Sequence, residues 1–306
     1  MTSSTRTASS TPTAPRVAPG PGGAAPAAGR RRPIAWAWLP AHALAWVYAA
    51  MLTVPLYYFL VSAFKTNDEI FSDPLGLPSS LSLDKFSTAL HGARLELAVA
   101  NSALVTFSAL VLTLCLAVPA AFAIARSRSR WAAVTERVFG LGFLVPTFAA
   151  LLPTFLMSAY SGLFHTRLFI VLLLPATAMP LSVIILTQFM RTIPPEMEEA
   201  ARIDGATTFG VLRHVYAPMA MPGIATVLLL NFLNFWNEYL YSLIIIGPDQ
   251  AQRTIQVALP TLRSTAGTDY GVLTAGTVLT LVPVWIAYTL LQRRMQQALV
   301  SGAVKL

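Results

Sequence analysis

Between Asn231 and Ser242, six side chains carry hydrogen-bonding groups at spacings that a helix would gather: Asn231, Asn234, Asn237, Glu238, Tyr241 and Ser242. At 100° per residue they fall on an arc of about 140°, and Phe232, Trp236, Leu240 and Leu243 face the other way. Amide, carboxylate and phenol groups together offer donors and acceptors, and an aromatic ring covers an apolar sugar face. The stripe therefore suits a hydroxyl-rich ligand. Two readings fit it: a polar path lined by Asn231, Asn234, Asn237, Glu238 and Tyr241, or hydrogen bonds to a neighbouring helix.

Other chemistry is not supported. There is no GxxxxGK[ST] phosphate loop, and the lysines are Lys65, Lys85 and Lys305, so the chain cannot hydrolyse ATP by that route. His42, His91, His165 and His214 are scattered, with no HExxH and no clustered acid pair. Cys115 is the single cysteine, which excludes an internal disulfide and a cysteine metal cluster. The chain reads as no enzyme, with no metal or cofactor of its own.

The elements that must position the stripe follow from composition. Of 306 residues, 55% are hydrophobic and 11% charged, against about a quarter charged in an ordinary soluble domain. Six segments hold no Asp, Glu, Lys or Arg: 33–64, 97–125, 138–166, 168–190, 214–237 and 270–292, each 23 to 32 residues long. A helix needs roughly 20 apolar residues to cross the hydrocarbon core, and backbone in lipid must satisfy its own hydrogen bonds. The expectation is an all-α integral membrane protein with six transmembrane helices, near 36–64, 98–125, 133–157, 167–190, 222–248 and 272–292. A charge at mid-membrane costs roughly 2.5–3.5 kcal/mol on insertion scales, so Glu238 should face protein or water.

Charge placement orients these spans. With the N-terminus inside, fifteen Lys and Arg fall on inside segments, among them Arg126, Arg128, Arg130 and Arg137, and six fall outside. The positive-inside rule then puts both termini in the cytoplasm. The net charge of +8 is thereby a topology signal and not a nucleic-acid footprint, which needs a basic stripe on a folded surface. Residues 1–33, rich in Ser, Thr, Ala, Pro and Gly, are expected to be a disordered cytoplasmic segment. Trp36, Trp38 and Trp46 suit a membrane interface, and the long apolar stretch from residue 34 reads as an uncleaved anchor. Residues 34–306 form the membrane domain. The prolines inside the spans read singly as kinks.

Segment 191–222, RTIPPEMEEAARIDGATTFGVLRHVYAPMAMP, is too polar to span and too patterned for a plain loop. Pro194 and Pro195 suit a helix start, with Glu196, Glu198 and Glu199 favouring its first turn. Gly205 suits a left-handed terminator, Thr207 or Thr208 can cap a second helix, and Pro218 bends or stops it. The bland alternative is an interfacial amphipathic hairpin without a partner.

Here the chain resembles a known family. Glu199, Ala200, Ala201, Asp204, Gly205, Ala206, Pro218 and Pro222 match the EAA loop of ATP-binding-cassette (ABC) importer permeases, with Ala217-Pro218 where the family usually has Leu-Pro. SAFKTNDEIFSDPLGLP, NSALVT, NFWNEYLYSLIII and the closing SGAVKL resemble carbohydrate-importer permeases of the maltose type. The resemblance covers roughly residues 36–306 and fits the smaller, six-span permease. It implies a multi-pass permease in a prokaryotic cell membrane, moving a sugar or oligosaccharide by alternating access. It implies that Glu198, Glu199, Ala200, Ala201, Asp204, Gly205 and Ala206 lie in a coupling loop between spans four and five that docks on an ATPase. The partners it implies are a second permease, a dimeric ABC ATPase carrying ATP and Mg, an extracytoplasmic sugar-binding protein and membrane lipid. It further implies that loop 249–271 reaches towards the binding protein and that the tail through Lys305 touches the ATPase. An ABC permease for another small solute, or a secondary carrier, is the alternative.

Overall fold

The computed structural model describes residues 39–303, apart from 248 and 264–267. Segment 1–33, Trp36, Trp38, Pro248 and the tail end at Lys305 lie outside those residues. The described residues hold helices and no strands. They run as α1 (Leu39–Ser62), α2 (Asn67–Ser72), α3 (Asp84–Gly92), α4 (Leu95–Arg126), α5 (Arg130–Gly142), α6 (Thr147–Tyr160), α7 (Arg167–Arg191), α8 (Pro195–Ile203), α9 (Thr208–Val211), a π-helical turn (Leu212–Tyr216), α10 (Ala217–Met219), α11 (Met221–Trp236), α12 (Leu240–Ile245), α13 (Ile255–Ala258), a 3₁₀ turn (Leu259–Leu262) and α14 (Tyr270–Ala303).

The described residues divide into two compact units, one up to Met51 and the other from Leu52 on. In the first, Leu39 to Met51 is helical, and Leu44, Trp46, Val47 and Tyr48 are exposed.

In the second, α4 and α7 pack side by side as the central pair, with α11 against both and against α14. Two apolar cores sit at opposite ends of that pair. One gathers Leu95, Ala98, Val105, Phe169, Ile170, Phe232, Trp236 and Ile255, and the other gathers Ala117, Ala121, Phe122, Val183, Leu186, Met190, Val211 and Tyr216. Alanines dominate the α4 contribution, and small side chains let helix backbones approach closely where lipid removes the usual hydrophobic drive between helices. Hydroxyls inside these apolar helices donate to carbonyls one turn back, as Thr113 does to Ala109 (2.7 Å) and Ser182 to Ala178 (2.8 Å), which satisfies them without water.

Among the described residues, four helices are long and apolar enough to cross a membrane: Pro40–Ser62, Leu95–Arg126, Arg167–Arg191 and Tyr270–Gln292. Two bent pairs raise the number to six if each is one span. Arg130–Gly142 and Thr147–Tyr160 meet at 97°, and Thr208–Met219 and Met221–Trp236 meet at 76°. The expected third span is therefore broken at 97°, more than a proline kink. Pro146 supplies the cap residue of α6 in an extended conformation, and a proline denies the helix a backbone donor and disfavours helical backbone just before it. The expected fifth span is also interrupted: α11 ends at Trp236 and a new short helix starts at Leu240. Even in α4 and α7, 39% and 44% of the most apolar window is buried. Their outer faces are left for lipid or another chain.

Candidate functional site

Two regions bring the sequence-predicted residues together. The first is segment 195–219. Helix α8 starts on Pro195, ends with Asp204 as its cap, and turns at Gly205, whose φ is +83°. That left-handed backbone is open to glycine at no steric cost. Thr207 then caps α9 by accepting from the Gly210 amide at 3.2 Å. The outer surface carries Glu199, Ala200, Asp204 and Gly205, with Ala201 and Ala206 half-buried. Around them stand Met197, Ile203 (86% exposed) and Phe209 (68% exposed), large apolar side chains with nothing over them.

Glu198 points the other way. It is 8% exposed, and its carboxylate accepts from Arg126 Nε at 2.6 Å, from Arg202 Nε at 3.0 Å and from the Tyr216 hydroxyl at 3.2 Å, with Arg202 Nη2 in ion-pair contact at 2.9 Å. Burial pushes its pKa up, but the hydrogen bonds from Arg202 and Arg126 and the Arg126 charge outweigh burial and hold it below the ordinary carboxylate value. The Arg126 guanidinium also lies 5.5 Å from the centre of the Tyr216 ring, and Phe122 meets that ring edge-on at 4.9 Å. Arg126 and Tyr216 escaped the sequence reading because their distance along the chain from Glu198 gives no pairing signal.

The second region is a cleft of about 730 Å³ between α11–α12, α7 and the break between α5 and α6. Asn231, Asn234, Asn237, Glu238 and Tyr241 all line it, with Thr147, Thr177 and Tyr239. They do so by a different geometry from one helical stripe, since the helix stops at Trp236. Asn231 is buried and donates to the Ser182 hydroxyl of α7 at 2.9 Å. Asn234 is exposed to the cleft, and among the described residues it has no hydrogen-bond partner. Asn237 caps α11, donates to the Leu233 carbonyl at 2.8 Å and accepts from Gln256 at 3.2 Å.

Glu238 bonds locally, to the first turn of α12. Its carboxylate accepts from the amides of Tyr241 (2.6 Å) and Ser242 (3.0 Å) and from the Ser242 hydroxyl (2.6 Å). It thus satisfies amides that the start of α12 leaves unpaired. Tyr241 is buried and donates to the Thr147 carbonyl at 3.2 Å, tying α12 to the start of α6. Glu238, Asn231 and Tyr241 shape the cleft wall, and Asn234 presents a free amide to it. Ser182, Gln256 and Thr147 were not legible as partners, because they come from elements that only folding brings together.

Beyond the cleft, Asn101 of α4 donates to the carbonyls of Ala251 (3.0 Å) and Arg253 (3.1 Å) and accepts from Arg167, and the Ile255 amide donates to Ser102 at 2.8 Å. These bonds tie the stretch 251–258 onto α4. Among the described residues no group of three or more His, Cys, Asp or Glu side chains is placed to hold a metal.

Comparison with known proteins agrees with this architecture. A family model described as "Binding-protein-dependent transport system inner membrane component" matches residues 87–301. The diacetylchitobiose uptake system permease protein NgcG of Streptomyces coelicolor is 32% identical over 86% of this chain and 88% of its own length. The arabinooligosaccharides transport system permease protein AraQ of Halalkalibacterium halodurans is 28% identical over 88% of this chain and 96% of its own. In fold, the chain resembles one from a bacterial ABC transporter involved in the import of the acidic polysaccharide alginate, with a TM-score of 0.72 at 23% identity over 83% of this chain and 94% of that one.

Proposed function

The chain belongs to the family of binding-protein-dependent transport system inner membrane components, a family of multi-pass transport proteins and not of catalysts, and from that premise we propose that it is a permease subunit of an ABC importer that moves a sugar or oligosaccharide into the cell. The observation that carries this reading is the joining of segment 195–219 to the polar cleft through α7 and α11, which flank the segment in sequence and line the cleft in space. The relatives named for sugar uptake supply the substrate class.

In this reading both termini and segment 195–219 face the cytoplasm, and residues 34–306 form one six-span domain in which each bent pair crosses once. Glu199, Ala200, Ala201, Asp204, Gly205 and Ala206 form the surface that docks on an ATPase subunit, with Glu198 beneath it. Alanines permit close approach, the acidic groups meet basic residues of the partner, and Met197, Ile203 and Phe209 add apolar contact area. ATP and Mg bind the ATPase dimer, which supplies the hydrolysis. A second permease faces the cleft and completes the substrate path. An extracytoplasmic binding protein delivers the sugar to the opposite end, where 251–258 is bound to α4. Closure of the ATPases moves α8 and re-aims the cleft between the two sides. Asn231, Asn234, Asn237, Glu238 and Tyr241 line or shape the path, with Asn234 the side chain free to meet a hydroxyl.

The experiment is a pull-down of the tagged chain from detergent-solubilised native membranes. Stoichiometric recovery of an ATPase, a second permease and a lipid-anchored binding protein is expected, and Glu199→Lys should lose the ATPase while keeping the second permease. Recovery of the chain alone, under conditions that keep other transporters intact, overturns the importer reading.

A further inference from the structure

We propose that Glu198 is a positioning residue that locks the coupling helix α8 to α4, so that movement of α8 reaches the cleft instead of being absorbed in the loops at its ends. This rests on the reading of segment 195–219 as the ATPase-docking surface.

Three elements converge on one carboxylate. Arg126 is the last residue of α4, Tyr216 closes the π-helical turn after α9, and Arg202 belongs to α8 itself. Of the acidic side chains on α8, Glu196 and Glu199 are exposed and Glu198 is buried. A buried charge is tolerated only when it is paired and hydrogen-bonded, and breaking such a pair leaves an uncompensated charge behind. Glu198 accepts three charge-assisted or hydroxyl hydrogen bonds and makes one further ion-pair contact with Arg202, so its arrangement is single and stiff. Neighbouring contacts are weaker restraints: α8 joins α7 through Thr192 to Pro194 and joins α9 through the glycine turn at Gly205.

From Arg126 the connection continues through rigid parts. Phe122, Ile124, Leu186 and Met190 share one core, which packs the end of α4 on the end of α7. Further along α7, Ser182 accepts from Asn231, and Thr177, Pro180 and Leu181 line the cleft. The π-helical turn adds a second contact, since Tyr216 carries the start of α11 with it. Wide turns of this kind inside helices are frequent at functional sites. Glu198 thus stands where one displacement of α8 must drag α4 and the α9–α11 segment together.

The test uses the whole complex, co-purified with its ATPase and placed in lipid nanodiscs. Ala176, exposed on α7 in the cleft wall, is replaced by cysteine in a Cys115→Ser chain, and its labelling by a membrane-impermeant maleimide is followed with and without MgATP and vanadate. The unaltered latch is expected to give a nucleotide-dependent change in labelling rate of about fivefold or more, the lower end of ordinary coupling between sites. Glu198→Gln and Arg126→Gln are each expected to reduce that change below about twofold while ATP hydrolysis persists, and the double variant to do no worse than either. A merely structural role would lower recovery or thermal stability and leave the nucleotide response intact, and that result overturns the proposal. Should Glu198→Gln not assemble, Tyr216→Phe carries the test, since it deletes one hydrogen bond and keeps the ring on Phe122. A partial loss of the response supports the latch, and an unchanged response overturns it. If no ATPase accompanies the unaltered chain, the importer reading falls and this inference with it.

Discussion

At the scale of single residues, two positions in segment 195–219 differ in how their side chains, or lack of them, stabilise it. Gly205 sits at φ +83° with nothing within 4 Å of where a Cβ would stand, so any cost of substitution there is conformational and not steric. A β-branched residue held in that region costs about 1–3 kcal/mol. Gly205→Val should lower the thermal midpoint of the purified chain by several degrees, and Gly205→Asn, which tolerates the left-handed region, should stay close to the parent. Equal midpoints for the two variants would refute the conformational account. Glu198 behaves in the opposite manner, through charge. Its folded pKa lies below the ordinary 4.5, so the folded state holds fewer protons than the unfolded one. Its contribution is therefore complete above the ordinary carboxylate range and is lost as pH falls through the lowered folded value. Thermal midpoints of the parent and Glu198→Gln should differ by a constant amount above about pH 5.5 and converge in more acidic buffer. A gap that widens on acidification would show the sign to be wrong.

At the scale of elements, the sequence was most legible where one strong local rule acted. Spans expected at 98–125 and 167–190 are the helices Leu95–Arg126 and Arg167–Arg191, because charge ends both and an apolar run fills each. The start of α8 at Pro195, the turn at Gly205 and the Thr207 cap were readable from residue types with narrow backbone preferences. The breaks were not. Apolar continuity from Gly140 to Leu156 says nothing about direction, and it hides a 97° bend at Pro146. Asn237 and Glu238 read as a lining stripe only while the helix is taken to continue. In the structure their side chains serve the helix ends, a competing use to which Asn and carboxylates are suited. That all five residues still line one cleft follows from the proximity of two helix ends there, not from a shared helical face. Tight junctions between elements were equally invisible. A Cβ at Gly271, in the first turn of α14, would stand 2.3 Å from the Lys65 carbonyl oxygen, which is backbone and cannot yield. A Cβ at Gly276 meets only leucine tips, of Leu262 at 2.8 Å and Leu259 at 3.0 Å. Gly271→Ala should therefore cost about 1–3 kcal/mol as overpacking, with lost yield and a lower thermal midpoint, and Gly276→Ala should cost less. The reverse order would contradict the close approach of α14 to the segment after α1.

At the scale of the whole molecule, the number of membrane crossings decides how the two functional regions are related, and it turns on one bent pair. Residues 80 and 208 are separated by α4, by the α5–α6 pair and by α7. If the pair crosses the membrane, three crossings put the two positions on opposite sides, as the concentration of arginine near 126–137 and 191–213 requires. If the pair enters and leaves on one side, two crossings put both positions on the same side, and segment 195–219 would face away from any cytoplasmic ATPase. The fold favours crossing: Leu95 of α4 shares one core with Phe169 of α7, and Phe122 shares the other with Met190, so the two helices run in the same direction and the α5–α6 pair must carry the chain from the end of one to the start of the other. The charge pattern agrees, because Arg128, Arg130 and Arg137 precede the bend and apolar residues follow it through Met157. Single cysteines in a Cys115→Ser chain read this directly. Ser80→Cys and Ala251→Cys, both exposed in loops, should react with an impermeant maleimide in intact spheroplasts. Thr208→Cys, exposed at the start of α9, should react only after the membrane is permeabilised. Reaction of Ser80→Cys and Thr208→Cys from the same side would make the α5–α6 pair re-entrant, remove segment 195–219 from the cytoplasm and overturn the proposed route by which ATP hydrolysis re-aims the cleft.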